Sequence, residues 1–262
     1  GGQEVAVVGL EGAEETTIDG NAAGSVVRFA QGEGPGSSLS GFTIRNGAAE
    51  CGGPCAVPEC YGGGLYLHGA SPTLTELRIE ENRADCHGGG LFLQSSSPSM
   101  ADIAVSRNDA ESGGGLSLTD SSPSMERVDV VGNTANEIAG IYLSASHPTV
   151  IDSTISHNVS LESVSALFAL SSDPLLSRVV ITENSAPDGA TVYVDWSAAR
   201  FEQVSITSNT AERGAGIRVD DCPSSGPYPT LQGVVISDNW ATLDGGGLYT
   251  DSGSTQLIDV LI

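Results

Sequence analysis

Short segments ending in asparagine return at a near-constant spacing along this chain, and that period constrains the fold more than any single stretch does. The marked residues are Asn46, Asn82, Asn108, Asn133, Asn158, Asn184, Asn209 and Asn239, with successive spacings of 36, 26, 25, 25, 26, 25 and 30 residues. A fixed period of 20–50 residues means stacked repeats, in which each unit buries its apolar face only against its neighbours. Equivalent positions of successive units then form columns, and function has to be sought column by column.

The units align without gaps over 62–82 (GGGLYLHGASPTLTELRIEEN), 88–108 (GGGLFLQSSSPSMADIAVSRN), 113–133 and 138–158. Three short apolar segments recur, represented by Leu65/Leu67, Leu74 and Leu77/Ile79. Each alternates with period two or abuts a turn residue, which is the strand signal, and no window sustains a helical period. Strands this short, joined by Gly, Ser-Pro and Asn turns, predict an all-β right-handed parallel β-helix with about 25 residues and three short strands per coil. Coils stacked about 4.8 Å apart give a rod about 45 Å long. The whole chain, 1–262, reads as one domain. Residues 1–45 form less regular first coils, 47–61 and 220–228 are loop insertions, and the last coil stops at Ile262, short of its expected Asn. That last feature predicts that further chain or another subunit covers the rod end.

Asn suits the marked turn because it tolerates a left-handed backbone and its amide bonds nearby backbone. Stacked in register, each Asn can also bond the next, as in cross-β ladders. The column is therefore read as structural.

The GGGLYL, SPT and IxxNxA repetition resembles the right-handed parallel β-helix repeat of secreted bacterial proteins over about residues 18–262. The GG[AGI][LI] and [IV]xxN pairing is also similar to the GGA[ILV] and FxxN repeats of polymorphic outer-membrane proteins, with Ile or Val in place of Phe. The second resemblance implies surface adhesion. The first implies the fold, on which lyases, adhesins and fibres are all built.

Composition narrows the partners. The chain has no Lys, ten Arg, 33 acidic residues and a net charge of −23. Such a surface repels nucleic acid and anionic membranes. No stretch approaches the roughly 18 apolar residues that a membrane helix needs. The acidity fits a secreted protein, salt adaptation or divalent cations such as calcium. The GGxGxD calcium nonapeptide is absent, since each GGG runs into Leu. No motif calls for a cofactor or a resident metal.

Three columns or clusters could carry chemistry. Between the inward positions of the GGGLYL strand lie Tyr66, Phe92, Ser117, Tyr142, Phe168, Tyr193, Arg218 and Tyr249. Alternation turns these outward, so Tyr66, Phe92, Tyr142, Phe168, Tyr193 and Tyr249 are expected to form an exposed aromatic column. It either stacks on itself or presents a face to a protein or a sugar ring. After the Ser-Pro turn come Glu76, Asp102, Arg127, Asp152, Arg178, Gln203, Gly233 and Asp259. These read as an ion-pair ladder or, by analogy with β-helical polysaccharide lyases, as a carboxylate–Arg cleft. Finally, Cys51, Cys55 and Cys60 lie in the first insertion and Cys86 in the same connection one coil on. Two disulfides among the four, with the pairing open, are expected of a protein outside the cytosol; a four-cysteine zinc site is the alternative. Cys222 has no evident partner.

Of the four histidines, His68 and His87 are placed to approach one another, while His147 and His157 occupy turns. Asn158-Val159-Ser160 matches the glycosylation pattern. These readings together predict a non-enzymatic extracellular or cell-surface solenoid. It would serve as a structural or adhesive module or as a subunit of a surface assembly, with a carbohydrate-binding or lyase- or hydrolase-like β-helix as the alternative.

Overall fold

The computed structural model describes residues 4–52, 55, 57–221 and 227–262. All strand pairings between named strands are parallel, and the longest path stacks ten strands, from Ala6–Val8 through Ser38–Ser40 and Thr73–Glu80 to Gln256–Ile258. Apart from one 3₁₀ turn at Pro58–Cys60, the described residues contain no helix.

One coil shows how sequence makes the shape. Strand Leu65–His68 sends Leu65 and Leu67 inward, and Gly69 then turns the chain with a φ of 60°. Strand Thr73–Glu80 bends at Glu76, whose φ is 52°, so that Leu74 and then Leu77 and Ile79 face the same interior. Glu81, at φ 57°, makes the next corner, and Asn82 follows. The third strand of this coil, Arg83–His87, buries Ala84 and lies outside the expected apolar segments, because Thr73–Glu80 carries two of those in one bent strand. Gly88, at φ 70°, returns the chain to the next coil.

Register is kept for the length of the rod: Leu65, Leu91, Leu116, Ile141, Leu167, Val192, Ile217 and Leu248 pair in succession. Each fully buried Leu, Ile or Val contributes about 1.5–3 kcal/mol, and these columns form one continuous core.

The asparagines differ from expectation in two respects. From Asn82 onward the left-handed residue is the one before Asn, namely Glu81, Arg107, Gly132, His157, Glu183, Ser208 and Asp238. The Asn itself is thereby freed to point into the rod. From Asn82 to Asn209 each amide Nδ2 donates both to the Oδ1 of the Asn one coil on and to a carbonyl one coil back, and Asn239 makes only the second bond. Asn108, for example, donates to Asn133 Oδ1 at 3.0 Å and to Ile79 O at 2.9 Å. The run goes unbroken from Asn82 to Asn239. The third glycine of GGG makes room for it, since a Cβ at Gly64 would lie 2.9 Å from the Asn82 amide and one at Gly90 3.0 Å from that of Asn108.

Asn46 is not part of this ladder. Strand pairing aligns Arg45 with Glu80 and Ala48 with Arg83, so Asn46 matches Glu81 and Gly47 matches Asn82. Asn46 is exposed, at φ 56°, and donates to Asp19 Oδ2 at 2.8 Å, while the Gly47 N–H caps Asn82 Oδ1 at 2.9 Å.

A second ladder runs through the Ser-Pro turns. The N–H groups of Ala70, Ser96, Ser121, Ser146 and Ser172 donate at 2.8–3.1 Å to the hydroxyl of the buried serine one coil on, ending at Ser197. Beside it on the surface the direction reverses, and the N–H groups of Ser97, Ser122, His147, Asp173 and Ala198 donate one coil back. Side chains at one turn thus fasten each coil to both neighbours.

Candidate functional site

The outer face of the GGGLYL strands carries the densest non-repetitive chemistry. The aromatic column stacks from coil to coil, with centroids 5.8 Å apart for Tyr66–Phe92, 5.8 Å for Tyr142–Phe168 and 4.8 Å for Phe168–Tyr193. Cations close it. Arg28, in the first coil, lies 4.1 Å from the Tyr66 ring centroid, and Arg218 sits 4.6 Å from Tyr193 and 5.6 Å from Tyr249. Sequence reasoning missed Arg28, although strand register aligns it with Tyr66.

The expected exposure does not hold along this column. Tyr66 is 3% exposed and Phe92 4%, while Tyr142, Phe168, Tyr193 and Tyr249 are half-buried. A second row of rings from the neighbouring segment covers Phe92 and Tyr142, while Arg28 lies over Tyr66 and Arg218 over Tyr193 and Tyr249. Tyr61 stacks 4.7 Å from Phe92, and His87 stacks 6.4 Å from Phe92 and 6.0 Å from Tyr142. His87 bridges the place where Ser117 leaves the column without a ring. Burial pulls its imidazole below the ordinary range, against a hydrogen bond to the Ser112 backbone and the nearby Glu111. Ring faces occupied in this way leave edges for a partner, not platforms on which a sugar could stack. His68 instead meets Gln94 Oε1 at 3.1 Å, so the two imidazoles part.

Two disulfides fix the cover. Cys51 pairs with Cys60 and Cys55 with Cys86, and Tyr61 Oη donates to Cys55 O at 2.7 Å. The sulfurs of Cys51, Cys60 and Cys86 lie close together, but oxidised sulfur offers no thiolate to a zinc ion. Cys222 lies outside the described residues.

The column after the Ser-Pro turn is a left-handed corner along its whole length, with φ between 50° and 62° from Glu76 to Asp259. Arg127 grips Asp102 at 2.6 and 3.0 Å, and Arg178 grips Asp152 at 2.6 and 2.8 Å. These are discrete pairs. Each Arg holds its partner carboxyl below the usual range by hydrogen bonding. The groove lined by Glu14, Glu76, Arg78, Asp102, Arg127 and Asp129 holds no uncommitted cation, since Arg78 pairs with Glu14 at 2.6 Å.

The same holds along the rod. Arg45, Arg78, Arg83, Arg107, Arg127, Arg178, Arg200, Arg213 and Arg218 each pair with carboxylates, and the tenth arginine, Arg28, lies on Tyr66. His147 Nδ1 accepts the Asp173 N–H at 3.0 Å, and His157 Nε2 lies 2.7 Å from Glu183. The glycosylation pattern at Asn158 falls on a fully buried ladder residue.

No curated protein and no solved structure matches the chain. A family model does, over residues 10–173, which is 164 of the 262 residues. With its parallel coils and in-register core columns, the chain belongs to the family described as the right handed beta helix region.

Proposed function

We propose that this β-solenoid is a non-enzymatic extracellular or cell-surface module, a structural or adhesive rod that meets protein partners in a surface assembly. One observation carries the reading: every arginine, the chain's only strong cation, is already bound to a carboxylate or a ring of the rod itself. Acid–base cleavage of a glycan needs convergent carboxyls about 5–10 Å apart with a raised acid among them. In the column after the Ser-Pro turn, the sequence's candidate cleft, the Asp102 and Asp152 carboxyls are held low by their arginines. The two disulfides support a site outside the cytosol, where thiols are not kept reduced.

Alkylation of the native protein, taken directly from the cells that make it and left unreduced, tests the location. Cys51, Cys55, Cys60 and Cys86 are expected to resist labelling, and free thiols there would overturn the reading. A panel of acidic and neutral polysaccharides tests the chemistry. No chain cleavage is expected, and turnover lost in Asp102→Asn would show an enzyme.

Trp196 favours a second reading, a glycan-binding rod. It is 56% exposed on a left-handed corner, at φ 49°, so its ring is held out on a fixed backbone. A glycan-array signal that Trp196→Ala abolishes would select this reading over the purely structural one.

A further inference from the structure

We propose that Asp195 and Asp220 together hold a divalent cation, calcium by the chemistry of the ligands, on the outer face of the rod. The two residues are register partners on adjacent parallel strands, Ala190–Asp195 and Ile217–Asp220. Val194 and Val219 point into the core, so strand alternation turns both aspartates outward, about 4.8 Å apart at the backbone. The outward side is nevertheless enclosed, for Asp220 is only 6% exposed.

One oxygen of Asp220 is fully used. Its Oδ2 accepts Arg218 Nε at 2.7 Å and Nη2 at 2.5 Å, and also the Tyr193 hydroxyl at 3.0 Å. Its Oδ1 is buried with no protein partner, and so is the Oδ1 of Asp195. Two adjacent carboxylates with one sealed, unanswered oxygen each are a costly arrangement unless something positive lies between them.

Arg218 does not supply that charge. Its guanidinium is turned to Oδ2 and stacks on Tyr193. Burial acts first against ionisation of Asp195 and the charges of Asp221 and Asp220 add to it, while Arg218 and a hydrogen bond from the Trp196 backbone oppose them. Asp251, next in register, adds another carboxylate. Oxygen-only ligands select a hard cation. Calcium tolerates irregular coordination completed by carbonyls and water, whereas magnesium demands a near-ideal octahedron. The same neutralisation could come from one proton shared by the pair, and the experiment separates the two. The site does not depend on the reading of the rod as a surface module.

The neighbouring aromatic residues provide the probe. The full chain, stripped with chelator, is titrated with terbium while Tyr193 and Trp196 are excited, then back-titrated with calcium. Thermal unfolding is followed with calcium or chelator present. The wild type should show sensitised emission reversed by calcium, and a Tm several degrees higher with calcium. Asp195→Asn should fold at least as well without metal, because it removes an uncompensated charge, but lose calcium affinity at least tenfold. Trp196→Phe should dim the emission and keep the Tm shift, and Asp188→Asn, an exposed acid elsewhere, should change neither. The proposal is overturned if calcium leaves the wild-type Tm unmoved, which is the shared-proton outcome. A shift that Asp195→Asn retains in full would also overturn it, as that is diffuse binding to an acidic surface.

Discussion

Asn108 donates its amide Nδ2 to Asn133 Oδ1 at 3.0 Å, and the Asn108 backbone N–H donates to the same oxygen at 3.0 Å. Neither residue is exposed. One side-chain oxygen thus answers two buried donors of the coil before, while the Asn133 amide reaches back to Val105 O at 3.0 Å. Asn133→Ala would strand both donors and that carbonyl in the core. A buried group left without its partner costs about 1–3 kcal/mol, so a loss of about 3–5 kcal/mol is expected in urea unfolding. The same change at Asn46, which is exposed and outside the ladder, should cost less, about 1–2 kcal/mol, because alanine tolerates its left-handed backbone, at φ 56°, less well than Asn.

Much of this was legible in the sequence, and the misreadings are specific. The period and the core columns follow from spacing alone, because a stacked coil repeats its inward positions. Even the exclusion of Asn46 was written there: Ile44 stands two residues before it, whereas Ile79 stands three before Asn82. The buried serines at Ser96 and Ser121 were visible in every SSSP and SSP turn but read as turn formers, since one serine looks like another until its neighbour coil is placed. Burial of Tyr66 and Phe92 was not legible. It depends on a loop folding back, and so on which cysteines pair.

That pairing leads to the second prediction. Cys55–Cys86 spans 31 residues and Cys51–Cys60 only 9. By loop-closure entropy the longer link is worth about 3–4 kcal/mol and the shorter about 2–3 kcal/mol. Cys55→Ser with Cys86→Ser should therefore destabilise more than Cys51→Ser with Cys60→Ser. It should also free Tyr61, whose hydroxyl is tied to Cys55 O, and expose Tyr66 to solvent quenchers of tyrosine fluorescence.

His87 should make stability depend on pH. Burial lowers its folded pKa below the free value of about 6.5. The unfolded chain then binds the proton first as pH falls. The contribution is complete above about pH 6.5 and is lost as pH drops from there through the folded pKa. His87→Phe keeps a ring between Phe92 and Tyr142 without a titrating group. The wild type should therefore lose stability relative to this variant as pH falls below about 6.5 in matched denaturant titrations. Parallel curves would show that the imidazole feels no burial.

The left-handed corners offer the opposite kind of change, a gain. Ala145 lies on one of them, at φ 48°, with an exposed side chain and its N–H donating to Leu170 O at 3.2 Å. A Cβ in that conformation crowds the backbone and costs about 1–2 kcal/mol. Gly69 occupies the same corner without that cost, at φ 60°. Ala145→Gly removes the crowding and sacrifices no buried surface. Glycine's greater freedom in the unfolded chain takes back part of the gain, about 0.5–1 kcal/mol. The net result should be a stabilisation of up to about 1 kcal/mol, read as a raised urea midpoint at unchanged slope. Ala139→Gly, at a residue fully buried beside the same turn of chain and outside the left-handed region, has no such strain to release and should destabilise. If both variants lowered the midpoint, the corner at Ala145 would not be strained.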